Sequence, residues 1–558
     1  MLNVTQGSLI LHTVQYKGRF LYSKYDPQRS IKSLVEKTKL LEGTIVLVMS
    51  PCLWYGLEDL LKKLPSNSII VAFEKDEKLF TLSQKTLCDM SKNFSLQGQL
   101  PLYLLKSNEI NSFLEKNISS GIFKRAIRLD FSAGIQFNLD YYSEITKVFQ
   151  DYIAQFWKNR ITLVKLGRLY SRNIFKNLCM IPLSSTLEEN KKTIGKTIIV
   201  CGAGESLDNF IKQIKNSTFR NKLYILAVDA ALPCFLSNNI FPDAVVSLEC
   251  QKAIEKAFYC AKDSKITLFC DISSRPQIRD ILNSKTVYFS TKYASSTFLE
   301  KLEEEKIIPS CMPPMGSVGL AALELALELR QNEDIKIFIS GLDFSFSLGR
   351  THATFSPAHR ERLNQCNRLK TVENYDAAFK EGAFSFAKNN GKVLFTDKAL
   401  FSYAEQFIDR FSKTKNLFYC TKSGIDLKLP QLNISEETIN KNSADTRQTK
   451  KYIDKAELNS NTLNQKLCIK IKQFYETEKN TLKAIKDLLS KGNASIYRNT
   501  DLSLDQQLYS LIKPRDYLYL HFADGYRFSM DTSFLKRVKA EADFFLKDIQ
   551  FALKRNPL

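Results

Sequence analysis

The segment TIIVCGAGESLDNFIKQI, residues 197–214, decides the fold. Thr197 to Cys201 is an apolar, β-branched run bounded by turn residues, which reads as a buried strand. Gly202 and Gly204 follow, giving a tight turn with no Cβ to block an approaching group. Ser206 is placed to cap a helix whose apolar face is Leu207, Phe210, Ile211 and Ile214. The N-terminus of such a helix offers N–H groups and a positive dipole end to a phosphate. In open α/β sheets, ligands sit outside the carboxyl ends of the strands. Gly202, Gly204, Glu205 and Ser206 are therefore candidate phosphate-binding residues. A turn that simply requires glycine reads the same way.

Outward from this segment, residues 181–430 alternate strand and helix patterns. Strand candidates are Thr197–Cys201, Leu223–Val228, Ala244–Leu248, Ile266–Cys270, Ile335–Ser340 and Leu417–Cys420. This alternation predicts an α/β fold with a mostly parallel, doubly wound, Rossmann-like sheet. Asp229 and Glu249 end two of these strands on the ligand edge. The stretch PMGSVGLAALELALEL, residues 314–329, supplies a second helix start at Gly316 and Ser317, and its helix is apolar all round and so buried. The stretch SGLDFSFSLGRTHATFS, residues 340–356, places Asp343 just past a strand end and Arg350, Thr351 and His352 in the loop that follows. Two of the chain's four histidines, His352 and His359, lie near this loop. Histidine titrates near neutral pH and suits acid–base work, although a plain surface loop would also carry one. Arg350 can grip a phosphate or carboxylate with two parallel hydrogen bonds. In LFTDKALFSYAEQFIDRF, residues 394–411, Thr396 or Asp397 caps a helix; capping alone accounts for Asp397.

The remaining chain frames this region. Its 558 residues exceed one compact core and suggest three domains at roughly 100–200 residues each. Residues 1–180 hold a smaller β–α–β pattern, with strands Thr44–Ser50 and Ser68–Phe73 around a helix at Leu57–Leu64. The turn Ser50-Pro51-Cys52 lacks the glycines that let a backbone approach a pyrophosphate, so this domain reads as structural. Residues 431–558 begin with a polar linker, Asn433–Lys450, and continue as long amphipathic helices with apolar stripes at Leu463, Leu467, Ile471, Phe474, Ile485 and Leu489, and at Phe534, Val538, Ala542, Phe545, Ile549 and Leu553. The net charge of +21 is spread along the chain with no concentrated basic run, which argues against specific nucleic-acid binding. The twelve cysteines contain no C-x-x-C pair and sit largely in strand-like runs, as buried thiols do. No apolar run reaches the roughly 18–20 residues of a membrane span, and the N-terminus lacks a signal-peptide pattern. The expectation is a cytoplasmic protein.

The ordered series GAGESLD, AVDAAL, IFPDAVVSLE, PMGSVGLAALELAL, SGLDFSFSLGRTHA and FTD, spanning about residues 190–425, resembles the catalytic domain of Maf proteins, the motility-associated factors. That domain is shared with hydroxymethylpterin diphosphokinases of the MptE-like type and is similar to bacterial CMP-sialic acid sialyltransferases. FLYSKYDPQRS, residues 20–30, also resembles the start of Maf chains. The resemblance implies transfer of a nonulosonic acid, pseudaminic- or legionaminic-like, from a CMP-activated donor to Ser or Thr of flagellin. It places Gly202, Gly204, Glu205, Ser206, Asp229, Gly316 and Ser317 at the nucleotide, with Asp343, Arg350, Thr351 and His352 facing the phosphate and sugar; Glu249 and Thr396 join the nucleotide set. This chain departs from its relatives at Glu205, where they usually carry Pro, and at Glu249, where many carry Asp. It also has no histidine in NNGKVLFTD, residues 389–397, where the sialyltransferases place one shortly before FTD, so the base is His352 or Asp397, or the arrangement differs from theirs. A single-phosphate leaving group needs no metal, while a diphosphate donor more often takes Mg²⁺. No cofactor beyond the donor follows. A pterin diphosphokinase and a non-catalytic flagellin-binding assembly factor are the alternatives; Glu205 and the Ser50–Cys52 turn favour the latter.

Overall fold

The computed structural model describes residues 3–6, 12–91, 101–118, 121–387, 393–421, 423–439, 446–495 and 502–555. Residues 1, 2 and 7–11 of the N-terminal stretch behind the no-leader expectation lie outside the described residues, as do residues 440–445 of the polar linker. The chain divides into two compact units: Met1–Lys165 with Phe522–Phe528, and Leu166–His521 with Ser529–Leu558.

The first unit carries a four-stranded parallel sheet of β1 (Thr44–Met49), β2 (Ile69–Phe73), β3 (Leu102–Leu105) and β4 (Arg125–Asp130), in the order β3-β2-β1-β4. β1 is buried along its whole length, as its continuous apolar run demands. At its carboxyl end, side chains fill the space where a ligand would enter. Ser50 Oγ donates to Glu74 (2.7 Å), and Tyr142 OH donates to the other Glu74 oxygen (2.8 Å). Ser132 Oγ donates to Ser50 Oγ (2.9 Å).

The second unit is built on a nine-stranded, all-parallel sheet. Its main strands are β5 (Thr197–Cys201), β6 (Leu223–Val228), β7 (Ala244–Ser247), β8 (Thr267–Asp271), β9 (Thr286–Thr291), β10 (Ile337–Ser340) and, near its end, Leu417–Tyr419. From β5 the sheet grows through β6, β7, β8 and β9 in one direction; the chain then crosses back and lays β10 on the other side of β5. The topological switch therefore falls between β5 and β10. Helices α1 (Ser206–Lys215) and α2 (Val318–Leu329) each start near the carboxyl edge of these strands. A small antiparallel sheet is set into the same edge: β11 (Phe346–Ser347), β12 (Ala383–Ala387) and β13 (Val393–Asp397), in the order β11-β13-β12. Helix α3 (Lys398–Phe411) follows directly.

Two features depart from the sequence reading. The strand Thr286–Thr291 and the small antiparallel sheet are additional elements. The C-terminal helices, Thr446–Ser495, Leu502–Ile512 and Thr532–Arg555, belong to the second unit instead of forming a third, and the unit boundary falls inside the helix Leu139–Leu178, not near residue 180. The reason is an aromatic cluster. Phe175, Phe298, Phe474, Tyr517 and Phe545 meet stacked, tilted or edge-on with ring centroids 4.8–6.4 Å apart. Asp516 adds hydrogen bonds to the start of the helix Thr297–Glu304, accepting from Ser296 Oγ (2.9 Å) and Thr297 N (2.7 Å). All twelve cysteines are free thiols, eight of them buried. Among the described residues, no helix is long and apolar enough to cross a membrane.

Candidate functional site

The carboxyl ends of β5 and β10 approach so closely that only glycine fits between them. Gly202 N donates to Ser340 O and Gly204 N to Gly341 O, both at 2.8 Å. A Cβ on Gly202 would lie 2.3 Å from Gly341 O, and one on Gly204 would lie 2.5 Å from an Asp343 carboxylate oxygen. These glycines are thus needed for the packing of one turn on the other.

Asp343 takes the place where the sequence reading puts a phosphate. Buried, it accepts from Ser206 N (2.9 Å) and from Ser206 Oγ (2.6 Å), while Ser206 Oγ accepts from Gly341 N (2.8 Å). The start of α1 already holds an anion, supplied by the chain itself. Ser206 is likewise not the free cap that the sequence suggests, since its own hydroxyl is locked to Asp343.

Glu205 and Arg350 also turn out to be engaged within the fold. The Glu205 carboxylate receives Ser347 N (2.6 Å) and Ser347 Oγ (2.8 Å), which ties β11 to the turn. This gives a physical account of a carboxylate in that turn: it points at β11, not at a ligand. Arg350 pairs with Asp208 on α1 and donates to Thr354 Oγ1 (2.6 Å). Asp208 also accepts from Thr354 N (3.0 Å) and Thr354 Oγ1 (2.7 Å). The guanidinium therefore pins loop 347–354 to α1.

With the start of α1 so occupied, the start of α2 is a helix end that lines an open cleft. Ser317 caps it, accepting from Gly319 N (3.2 Å). Gly316 passes under a ring, where a Cβ would lie 2.5 Å from Tyr403. Ser317 to Gly319 line a cleft of about 1250 Å³, measured with its open mouth, whose other walls are Gly202–Gly204, Gly341–Phe346, Thr351, His352, Asn374, Lys380 and Asp397. A second compartment of about 880 Å³ shares Ser317 and Val318 with the first and is lined by Tyr170, Asp229, Glu249, Lys292, Tyr293 and Gly316.

His352 stands in the wall of the larger cleft with Nδ1 at 2.9 Å from Thr351 Oγ1. Surrounding protein lowers its pKa from 6.5, and Glu205 pulls the other way. The imidazole is thereby held neutral near pH 7, the form that accepts a proton. Asp397 caps α3, accepting from Ala399 N and Leu400 N at 2.9 Å each, and still borders the cleft. Thr396 is buried and donates to Phe344 O (2.8 Å), which makes it a strut of the small sheet. Asp229 is buried in the second compartment, and burial pushes its pKa up to about 7; Ala230 N (2.8 Å) and Ser247 Oγ (3.2 Å) oppose the shift, and Glu249 adds to it. Glu249 accepts from Gln251 N (2.9 Å).

Of the sequence candidates, the structure gathers Gly202, Gly204, Ser317, Asp343, Thr351, His352 and Asp397 around one cleft, and Asp229, Glu249, Gly316 and Ser317 around its neighbour. Asn374, Lys380, Tyr170, Lys292 and Tyr293 join them without a sequence signal: Lys292 and Tyr293 follow a strand, Thr286–Thr291, that the sequence reading does not mark, Lys380 opens the turn into the small sheet, and Tyr170 lies within a helix. Among the described residues, no group of three or more His, Cys, Asp or Glu is arranged to hold a metal ion.

Comparison with known proteins agrees with this architecture. An uncharacterized protein of Treponema pallidum (strain Nichols) is 31% identical over 557 residues, covering 96% of this chain and 93% of its own. The two belong to one family. Residues 171–349 match the model of the 6-hydroxymethylpterin diphosphokinase MptE-like family. Among solved structures, the Maf glycosyltransferase from Magnetospirillum magneticum AMB-1 superposes with a TM-score of 0.54 at 14% identity, over 100% of this chain and 93% of that one. The family thus has the Maf fold, with an MptE-like segment at its centre, as the ordered motifs imply.

Proposed function

We propose that this family member is a glycosyltransferase that moves a nonulosonic acid from a CMP-activated donor to Ser or Thr hydroxyls of flagellin. The observation that carries the reading is the pair of compartments meeting at the start of α2, beside the β5/β10 switch point. An anionic phosphate fits the helix end at Ser317–Gly319, where among the described residues no carboxylate accepts from the N–H groups, unlike the end of α1. The smaller compartment, with Tyr170 and Tyr293, takes the nucleoside, and the larger takes the sugar. In the transfer, the acceptor oxygen bonds to the anomeric carbon as the bond from that carbon to the phosphate oxygen breaks. CMP leaves with the electron pair, and the hydroxyl proton passes to His352. The helix end stabilises the charge that grows on the departing phosphate, and the base contributes about 10²–10⁴-fold. Arg350 acts through the loop it fastens.

The MptE-like match over residues 171–349 favours one other reading, diphosphate transfer from ATP. Thermal-shift titration separates the two: stabilisation by CMP and not by ATP supports the glycosyltransferase, and the reverse supports the kinase. Intact flagellin mass in a deletion strain tests the acceptor, and an unchanged mass refutes it. Glu205, a cue for a non-catalytic assembly factor, loses that force now that it is bound to Ser347.

A further inference from the structure

The small antiparallel sheet at the cleft mouth has one edge with none of the usual protection. β12 pairs with β13 on one side, and among the described residues no strand pairs with its other side. Its sequence, Ala383-Phe384-Ser385-Phe386-Ala387, has no charge and no proline. Exposed edges are normally blunted by such residues, because every second residue of an edge turns its N–H and C=O outward and recruits another strand. The opposite edge, β11, is two residues long and is held by Glu205. The β12 edge is solvent-exposed along Gly382, Phe384 and Ser385.

β12 starts beside the cleft: the cleft residue Lys380 lies three positions before Ala383, and on its paired side β12 meets β13. Ala383 pairs with Asp397 and Phe384 with Thr396, and Asp397 lines the cleft wall. Exposed apolar side chains lie on and beside this strand. Phe379, 77% exposed, sits next to the cleft residue Lys380; Phe384, 42% exposed, meets Phe401 edge-on at 5.7 Å. An exposed apolar rim of this kind marks an interaction surface.

We infer that an extended segment of the acceptor protein adds as a fourth strand to β12, its backbone bonding to the open edge, its apolar side chains resting on Phe379, Phe384 and Phe401, and its Ser or Thr hydroxyl reaching the cleft. This rests on the transferase reading above and names how that site takes its protein substrate. Strand addition secures affinity through main-chain hydrogen bonds and leaves side-chain choice loose. The start of β12, three residues from Lys380 in the cleft wall, puts one end of an added strand next to the site, which favours the acceptor over a second copy of this chain.

The test uses the full-length protein, purified flagellin and a CMP-nonulosonate donor, with two readouts: transfer to flagellin and release of CMP to water. Ser385→Pro and Ser385→Lys alter the edge and touch no residue assigned to donor chemistry. The expected result is an about tenfold or larger loss of transfer in both variants, with CMP release to water unchanged. Transfer retained in both variants overturns the inference. So does loss of both readouts in both variants, since a docking edge leaves donor turnover alone. A lower oligomeric mass in Ser385→Lys with transfer intact shows a second copy on the edge and also overturns it. If the wild-type protein releases no CMP at all, the transferase reading falls first, and the inference with it.

Discussion

Asp343 offers the sharpest test of the site. If it were a free catalytic carboxylate, replacing it with alanine would abolish activity and leave stability alone. The geometry gives it another role: it closes the start of α1 through hydrogen bonds to Ser206 N (2.9 Å) and Ser206 Oγ (2.6 Å). Asp343→Ala removes two hydrogen bonds to a charged group, each contributing about 1.5–3 kcal/mol, and strands a buried donor. Partial relaxation and water entry bring the expected loss to about 3–5 kcal/mol. For a cooperative unit of about 390 residues, with unfolding entropy of about 2.1 cal/mol/K per residue, that corresponds to a fall in Tm of about 4–6 °C. Asp343→Asn retains an acceptor for Ser206 N and a donor for Ser206 Oγ, so its loss is about 1–2 kcal/mol. Differential scanning calorimetry measures both. An alanine variant that melts within 1 °C of wild type, while transfer is abolished, refutes the capping role and restores Asp343 as a catalytic group.

Three further outcomes follow from the site. His352→Ala lowers the transfer rate about 10²-fold or more and flattens the pH–rate profile; in the wild type the surrounding protein holds the histidine pKa below 6.5, so activity holds at pH 7 and falls as pH drops below that value. Asp229 has a folded pKa raised to about 7, so its contribution to stability is fully present below the ordinary carboxyl value of 3.8 and is lost as pH rises through 7. Asp229→Asn removes this dependence, and its melting temperature gains on wild type between pH 5 and 8, the shift setting an upper bound of about 4 kcal/mol. Glu205→Ala frees Ser347 and loosens β11, lowering stability by about 1–3 kcal/mol while CMP still binds; calorimetry and CMP titration together check this.

Much of the fold was legible in the chain itself. Runs such as Thr197–Cys201, Leu223–Val228 and Ala244–Ser247 are short, apolar and β-branched, and they are strands because a sheet covered on both faces asks for that composition. The apolar stripe of α1 and the all-apolar α2 marked one half-buried and one buried helix. Thr286–Thr291 escaped because TVYFST is short and its apolar run is bracketed by threonines and interrupted by Ser290. The small antiparallel sheet escaped because its three strands are two to five residues long and register through pairing, not periodicity.

The sequence by itself determined where the chain turns, caps and buries, because those properties depend on neighbours within one helical turn or one strand. It also marked most residues that gather at the cleft, since strand ends and helix starts in a parallel sheet converge on one edge. What each polar side chain does there was decided only by tertiary structure. Asp343 meets Ser206 across 137 residues, and Glu205 meets Ser347 and Arg350 meets Asp208 across 142. A local pattern cannot say whether a carboxylate or a guanidinium at a strand end faces a ligand or another part of the chain. Here packing turned three candidate ligand contacts into internal ties, and it left the start of α2 lining the open cleft.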